Sequence, residues 1–419
     1  MDFREFVTRV RQTRGTTVVA EPLSCAEIPS RVAEVERGSN RALVVDHVVE
    51  SRAKVVGNLF GTASRICQGF SVRGYSQLFR RLDRAISNPA PIRFGEPGRG
   101  EYSVIKTPDL KQILPAIKYS QDDATPYLTS GIVVSRVPSS GRRHVCFMRL
   151  AILGGNRLLF NPGTLRIKQL VDETVGRGEE LEVRILIGPP LEIILMACVT
   201  MPNHQDKLEV AQAMAGEGLL FSDEALPIPL STEYVLKARV ISQYEQEGPF
   251  GEIGGVYSVK EKNAVCLVDE LHERRDPVFH SVSAGVSKEH LELLSLGPRS
   301  FLERMKREFP EIRRYDLPEF GADRLAVLVV KNRFDIEKFA ARLWEVPLVR
   351  GFIIVNEDVA SRSPSDLLWA ILQRAHNSDH FTFTRERHPV YNTDRFLVDA
   401  TVGNLSAWEN RRLDIYRPA

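Results

Sequence analysis

Apolar positions recur along this chain in two periods, and the dominant period changes twice. In residues 2–13, Phe3, Phe6, Val7 and Val10 fall three or four apart, which predicts an amphipathic helix. Residues 17–20 and 42–49 are Val- and Leu-rich runs that predict strands, with a short helical pattern at 31–35 between them. That alternation is the pattern of an α/β unit. Residues 87–100, opening Ser87-Asn88-Pro89-Ala90-Pro91, read as a linker or long loop.

From about residue 125 the period shortens. Residues 127–137, 143–153, 158–160, 181–186, 234–242 and 264–267 are β-type runs, interrupted by helical patterns at 165–176 and 205–215. Many short strands with few helices predict a β-barrel or sandwich carrying inserted helices. The last third changes again. Residues 288–294, 299–308 and 335–344 predict helices, and 325–330 and 352–355 predict strands. Ser363-Pro364-Ser365-Asp366 has the form of a helix start, with Ser at the cap, Pro in the first turn and an acid near the positive end of the dipole. These elements make a small α/β domain, and the charged tail after Asn404 reads as a docking helix or a loose end.

Composition narrows the classes. The chain has 419 residues, 43% hydrophobic and 26% charged, which excludes a disordered or collagen-like polymer and suggests two or three domains. Lys plus Arg is 56 against 54 for Asp plus Glu, a balance that argues against binding the nucleic-acid backbone. The five cysteines form no CxxC pair, which excludes a zinc ribbon and favours buried free thiols in a reducing compartment. There is no signal-peptide core at the N-terminus. The most apolar stretch, 185–201, is broken by Pro189, Pro190 and Glu192 and is too short to span a bilayer. The expectation is a cytoplasmic protein with no membrane span.

Three places carry candidate chemistry. In Glu247-Gly248-Pro249-Phe250-Gly251-Glu252, two carboxylates flank a turn of Gly, Pro and Gly. Two readings stand. The turn aims both acids into one cavity, where neighbouring carboxylates split their proton affinities and suit acid–base work, or it is a solvated surface turn. Arg149 interrupts an apolar strand; it meets an anion or snorkels to solvent. Glu233 heads a β run, as a metal ligand or as an exposed strand start. No HExxH, P-loop or dinucleotide fingerprint is present, and His376 and His380 are separated by a loop-like Asn377-Ser378-Asp379.

Taken together and in order, these segments resemble the UbiD family of prenylated-FMN-dependent, non-oxidative decarboxylases. Residues 247–252 match its EGPFGE signature, followed by Ile253-Gly254-Gly255-Val256-Tyr257-Ser258. Gly57-Asn58-Leu59-Phe60-Gly61 with Arg65 matches its N-terminal segment, and 141–149 its strand ending in Arg. Gly188-Pro189-Pro190 is similar to its Pro-Pro loop. Asn356-Glu357-Asp358 with Asp366 and Trp369, and Asp399-Ala400-Thr401, are similar to its C-terminal motifs. The resemblance implies an α+β chain in three segments. These are an N-terminal α/β domain (1–114), a split β-barrel resembling flavin reductases that binds prenylated FMN (115–295), and a C-terminal α/β domain used for oligomerisation (296–419).

It also implies roles. Arg149, Glu247 and Glu252 fall on the catalytic trio: Arg149 and Glu247 pair beside the modified flavin ring, and Glu252 protonates the carbon that CO2 leaves. In the family an Asn, a His and a Glu hold a divalent ion, Mn or Mg, against the flavin phosphate, with potassium nearby. Here the Glu falls on Glu233, the Asn position holds His144 and the His position holds Thr164. Glu233 and His144 are therefore the expected metal ligands, and His144, Arg149 and Glu233 the expected cofactor contacts. The implied partners are a small carboxylic acid, a flavin prenyltransferase that supplies the cofactor, and further copies of the chain in a homodimer or larger homo-oligomer.

The chain is short for the family, as in archaeal forms, one branch of which decarboxylates trans-anhydromevalonate 5-phosphate in isoprenoid biosynthesis. That acid stands ahead of an aromatic one such as 4-hydroxy-3-polyprenylbenzoate. A phosphorylated substrate needs basic groups, and Arg142, Arg143, Arg166 and Lys168 are candidates by position, or else form a solvated face. Two further classes remain: a non-catalytic flavin-binding accessory subunit, and an oxidoreductase using unmodified FMN.

Overall fold

The structure is a computed structural model that describes residues 1–202, 204–258, 261–331, 336–384 and 394–403. The tail after Asn404 and the expected helix start at Asp335 lie outside the described residues. The chain divides into two units, Met1–Leu293 and Leu294–Ala419.

The first unit opens with α1 (Phe3–Arg11), β1 (Thr16–Val19), α2 (Ile28–Ser39), β2 (Ala42–Val45), β3 (Lys54–Gly57), α3 (Ala63–Gly69) and α4 (Tyr75–Ser87). α1 begins where the Asp2 side chain accepts from the Arg4 and Glu5 N–H groups, and it buries Phe3, Phe6, Val7 and Val10 as their spacing requires. Residues 88–101 contain no helix or strand. Next come β4 (Tyr102–Lys106), α5 (Leu110–Ile113), β5 (Tyr127–Arg136), β6 (Arg143–Gly154), β7 (Arg157–Phe160), α6 (Leu165–Thr174), β8 (Leu181–Ile187), α7 (Leu191–Cys198), α8 (Lys207–Ala215), β9 (Tyr234–Gln246), the short β10 (Gly251–Glu252) and β11 (Val256–Tyr257), β12 (Lys262–Arg274) and β13 (Val278–Ser281).

β12, β7, β6, β5, β8 and β9 are neighbours in that order, all antiparallel, and β9 pairs back onto β12 to close a six-stranded barrel. Alternate residues fill it: Cys146, Met148, Leu150 and Ile152 of β6 join Val183 and Ile185 of β8, Leu236 and Ala238 of β9 and Cys266 of β12 in one core. That core continues into the N-terminal segment through Val32, Leu43 and Val55. β13 leaves the barrel and pairs in parallel with β3, completing the N-terminal sheet β1-β2-β3-β13. Four of the five cysteines are buried, and all five are free. Among the described residues no helix is long and apolar enough to cross a membrane.

The Asn58–Arg65 motif is a structural knot. Arg65 is buried and donates to the carbonyls of Leu59 (2.9 Å), Asn40 (2.7 Å) and Asn58 (2.8 Å). Asn58, in a left-handed conformation, donates to Asn40 Oδ1 and the Arg41 carbonyl. At Gly188 φ is +60°, and a Cβ would stand 2.9 Å from Cγ of Glu233, so the Pro-Pro loop needs glycine there.

α9 (Lys288–Glu308) is one helix where the pattern predicts two; Pro298 lies inside it, and the Gly297-Pro298 pair that reads as a break is absorbed. The second unit continues with β14 (Ile312–Asp316), β15 (Leu325–Val330), α10 (Ile336–Leu343), β16 (Gly351–Asn356), α11 (Pro364–Arg374), β17 (Phe381–Phe383) and β18 (Phe396–Ala400). The sheet order is β14-β15-β16-β18-β17, parallel at its centre, with an apolar core on each face. The C-terminal motif residues are brackets here. Asp358 takes a two-pronged bond from Arg374, Asn356 Oδ1 accepts from the Val402 N–H, and Asp399 accepts from the Thr401 N–H and hydroxyl. Ser363 caps α11 as its sequence predicts.

One half-buried acid makes the stability of the first unit depend on pH. Burial, and next the nearby charge of Glu289, push the Glu36 carboxyl up to about 7 from its ordinary 4.5. The fold therefore prefers the protonated form. Its stabilisation is complete below about pH 4.5 and is lost as pH rises through about 7. Glu36→Gln should flatten that decline, read as the difference in urea-denaturation stability between about pH 5 and about pH 8.

Candidate active site

The site is built around β6. Its Arg149 side chain is 15% exposed and points away from the barrel core, and its guanidinium holds both signature acids. Arg149 Nε donates to Glu247 Oε1 at 3.0 Å, and the same guanidinium pairs with Glu252 through Nη1. The turn therefore does aim its two carboxylates at one point. Glu247 follows directly on β9 and is 2% exposed, whereas the Glu252 side chain is 34% exposed. One acid is locked and the other is within reach of a ligand.

Four further contacts hold the turn. Its Phe250 ring lies under Arg149, 5.0 Å from guanidinium carbon to centroid, and packs 4.5 Å from the Tyr127 ring. The Ala124 N–H donates to the Pro249 carbonyl, and the Gly251 N–H donates to Asp123. Burial raises the Asp123 carboxyl above its usual range. A Cβ at Gly248 would collide with Ala124.

Two asparagines are functional residues that sequence reasoning missed. Asn161 donates to Glu247 Oε2 at 3.0 Å, and Asn263, itself buried, donates to the same oxygen. Three N–H donors thus converge on the Glu247 carboxylate. Neither Asn carries a local signal: Asn161 follows β7, and Asn263 lies at the start of β12. Tyr127 was also missed. Burial, and next the charge of Glu247, raise its phenol far above the ordinary range, so it stays protonated.

β7 covers β6 only from Leu150 to Gly154. From His144 to Arg149, β6 pairs with β5 on one side and has no strand on the other. The segment Asn161-Pro162-Gly163-Thr164 passes this open edge on its way to α6. This unpaired edge has Arg149, Glu247 and Glu252 at one end and His144 at the other, five residues or roughly 17 Å apart along the strand. At the His144 end it meets α8, where the Arg143 N–H donates to Asp206 and the Val145 carbonyl accepts from Lys207.

The expected metal ligands do not come together. Through the register, His144 lies level with Ser135, Val183 and Ala238, whereas Glu233 stands five residues beyond Ala238 and three strands away around the barrel. Glu233 is fully buried, and both its oxygens are taken: Arg4 donates at 2.9 and 2.6 Å, Arg274 at 3.3 Å and the Val278 N–H at 2.9 Å. It is a hub joining α1 to the barrel. His144 is flanked by cations; burial and then the charges of Lys207 and Arg166 lower its imidazole to about 3. Thr164 caps α6 by accepting from the Ile167 N–H. Among the described residues no group of three or more His, Cys, Asp or Glu stands where it could hold a metal ion. These residues do not fit the divalent site that the resemblance implied. Of the four basic candidates, Arg143 is spent on Asp206 at 2.6 Å, Arg142 and Lys168 are exposed, and Arg166 stands near His144.

Comparison with known proteins decides the family. A profile described as 3-octaprenyl-4-hydroxybenzoate carboxy-lyase Rift-related domain matches residues 96–287, and the profile of the same enzyme's C-terminal domain matches 293–394. The chain belongs to the UbiD family of carboxy-lyases. Anhydromevalonate phosphate decarboxylase of Methanothermobacter thermautotrophicus is 27% identical to this UbiD chain over 356 residues, 83% of each protein. Among solved structures, the UbiD-class enzyme HmfF from Pelotomaculum thermopropionicum, in an evolved dimeric form in complex with prFMN, superposes with a TM-score of 0.85 at 24% identity, covering 99% of this chain and 97% of that one. The vanillic acid decarboxylase of Sedimentibacter hydroxybenzoicus gives 0.81 at 20%, covering 100% and 96%. Both share the α+β architecture and its central barrel.

The two amides on Glu247 make a measurable prediction for this UbiD-family site. Asn263→Ala should lower stability by about 1–3 kcal/mol in chemical denaturation, because it strips a donor from a buried carboxylate. It should also cut decarboxylation more than it weakens flavin binding.

Proposed function

We propose that this carboxy-lyase removes CO2 from an α,β-unsaturated acid with prenylated FMN, and that its substrate is trans-anhydromevalonate 5-phosphate. The observation that carries the reading is the meeting of Arg149, Glu247 and Glu252 at one end of the open edge of β6. The relative named for that substrate, similar along 83% of the chain, supports it. The β6 edge without a strand partner suits an elongated cofactor, with Arg149 and its two carboxylates near one end and the cations Lys207 and Arg166 near the other.

When bound, the cofactor supplies the electron sink that takes the pair left on carbon as CO2 departs. The chain supplies the rest. Arg149 orients the carboxylate-bearing reactant by charge-assisted hydrogen bonding. Glu247, clamped by Arg149, Asn161 and Asn263, keeps the guanidinium in place. Glu252, the exposed partner, delivers the proton to the carbon. Retention of all three disfavours an accessory role. No step is assigned to a metal, because the residues expected to ligate it lie apart.

In this reading residues 115–295 bind the cofactor, residues 296–419 serve self-association, a flavin prenyltransferase supplies the cofactor, and the enzyme works in the cytoplasm. The test is the mass of the small molecule released from protein co-produced with such a prenyltransferase, followed by turnover of candidate acids. Release of prenylated FMN and decarboxylation of anhydromevalonate phosphate are expected. Release of unmodified FMN alone overturns the cofactor assignment, and turnover of only aromatic acids overturns the substrate. Glu252→Gln should lower turnover by about 10²–10⁴-fold while the released cofactor stays the same; unchanged turnover would remove Glu252 from its role.

A further inference from the structure

We infer that the end of the unpaired β6 edge formed by His144, Arg166 and Lys207 is a phosphate-monoester subsite that works without a divalent metal ion, with Lys207 supplying positive charge. The inference rests on the reading of this strand edge as the place of the cofactor.

Lys207 is the first residue of α8, and its side chain is buried. Its ammonium donates three hydrogen bonds, to the carbonyls of Val145 (2.8 Å), Met196 (2.6 Å) and Val199 (2.9 Å). It is ringed by carbonyl oxygens as a bound cation is, two of them at the C-terminal end of α7. No carboxylate neutralises it among the described residues. The neighbouring Asp206 accepts instead from Arg143 and from the first N–H groups of α8. Burial lowers the Lys207 ammonium to about 8, and the titratable groups beside it are the thiols of Cys146 and Cys198, which burial keeps protonated. A buried ammonium without a counter-ion is costly, and an anion brought beside it repays that cost.

Two neighbours have the chemistry to touch the anion directly. Arg166, in the first turn of α6, has no carboxylate partner among the described residues, and its five N–H donors suit a phosphate. His144 Nε2 is buried with no hydrogen-bond partner. α6 also begins here with the neutral Thr164 as its cap, so its N-terminus adds partial positive charge, whereas that of α8 is taken by the Asp206 carboxylate. Every charge bearing on His144 is positive. Such a place repels a divalent cation and attracts a doubly charged phosphate.

The phosphate belongs either to the flavin mononucleotide or to a phosphorylated substrate, and binding to the full-length apo-protein separates the two. FMN and riboflavin are titrated by fluorescence, each with EDTA and then with added Mn2+. If the cofactor's phosphate is seated here, FMN should bind about a hundredfold more tightly than riboflavin, equally with and without metal. Arg166→Gln should cost FMN about tenfold and leave riboflavin unchanged. If the substrate's phosphate is seated here, FMN and riboflavin bind alike. Isopentenyl phosphate, used as the probe, then raises the melting temperature in EDTA, and Arg166→Gln abolishes that shift. Either pattern supports the subsite.

FMN or probe binding that disappears in EDTA and returns with Mn2+ overturns it, as does binding indifferent to Arg166→Gln in both arms. Lys207→Met tests that charge, with a melting curve as the check on folding; where it does not fold, the Arg166 variant decides. No turnover is read, so a failed decarboxylation assay leaves this result standing, and loss of the subsite leaves the decarboxylase reading to its own test.

Discussion

The pairing of β9 with β12 closes the barrel, and the rest of the site hangs on that closure. Glu247 follows directly on β9, and Asn263 is the second residue of β12, so one antiparallel pair sets the carboxylate beside its amide. β12 also pairs with β7, placing Ala264 opposite Phe160 and delivering Asn161 to the same oxygen. β6, on the far side of β7, contributes Arg149. Four strands must be in register before the three donors meet one carboxylate, and a one-residue slip in any of them would turn its side chain to the other face. The site is therefore as rigid as the barrel, except at Glu252, which lies on the short β10 outside the barrel and leaves its carboxylate partly in solvent.

The unit solves its buried charges in two ways. Glu233, with no exposure at all, is surrounded by Arg4, Arg274 and a backbone N–H, so the ion pair and its remaining lone pairs are satisfied together. Arg65 is satisfied by carbonyls alone. Lys207 follows the second pattern but stands at the end of the unpaired β6 edge, where an unneutralised charge serves binding as well as folding. Geometry makes that distinction: both cations have carbonyl partners, and only one has Arg166 and an unpartnered imidazole beside it.

Much of the fold is legible in periodicity. α1, α6 and the barrel strands follow apolar spacings of 3.6 or 2, because each has one face on the core and one on solvent or another layer. α7 shows where the signal ends: Leu191–Cys198 is apolar nearly all round and buried, so no amphipathic stripe marks it as a helix. α9 shows the reverse, with a Gly-Pro pair that reads as a stop and is carried inside a single helix. The cluster of Arg149, Glu247 and Glu252 was legible because its residues sit in a short, unusual hexapeptide and in a charge that interrupts an apolar strand.

What the sequence by itself determined is the set of local elements and the chemical types available: a turn with two carboxylates, an arginine in an apolar strand, and a histidine and a threonine where the family resemblance calls for metal ligands. What only the tertiary structure decided is which of these meet. Glu233 and His144 are both chemically able to hold a metal, yet strand register puts them on opposite sides of a barrel and gives each a cation for a neighbour. Asn161, Asn263 and Lys207 are ordinary residues in sequence and become site residues because closure of a sheet brings together positions up to about a hundred residues apart. Spacing along a chain reports the period of one element. The distance between side chains on different elements is set by how those elements pack, and the chemistry of the site depends on that distance.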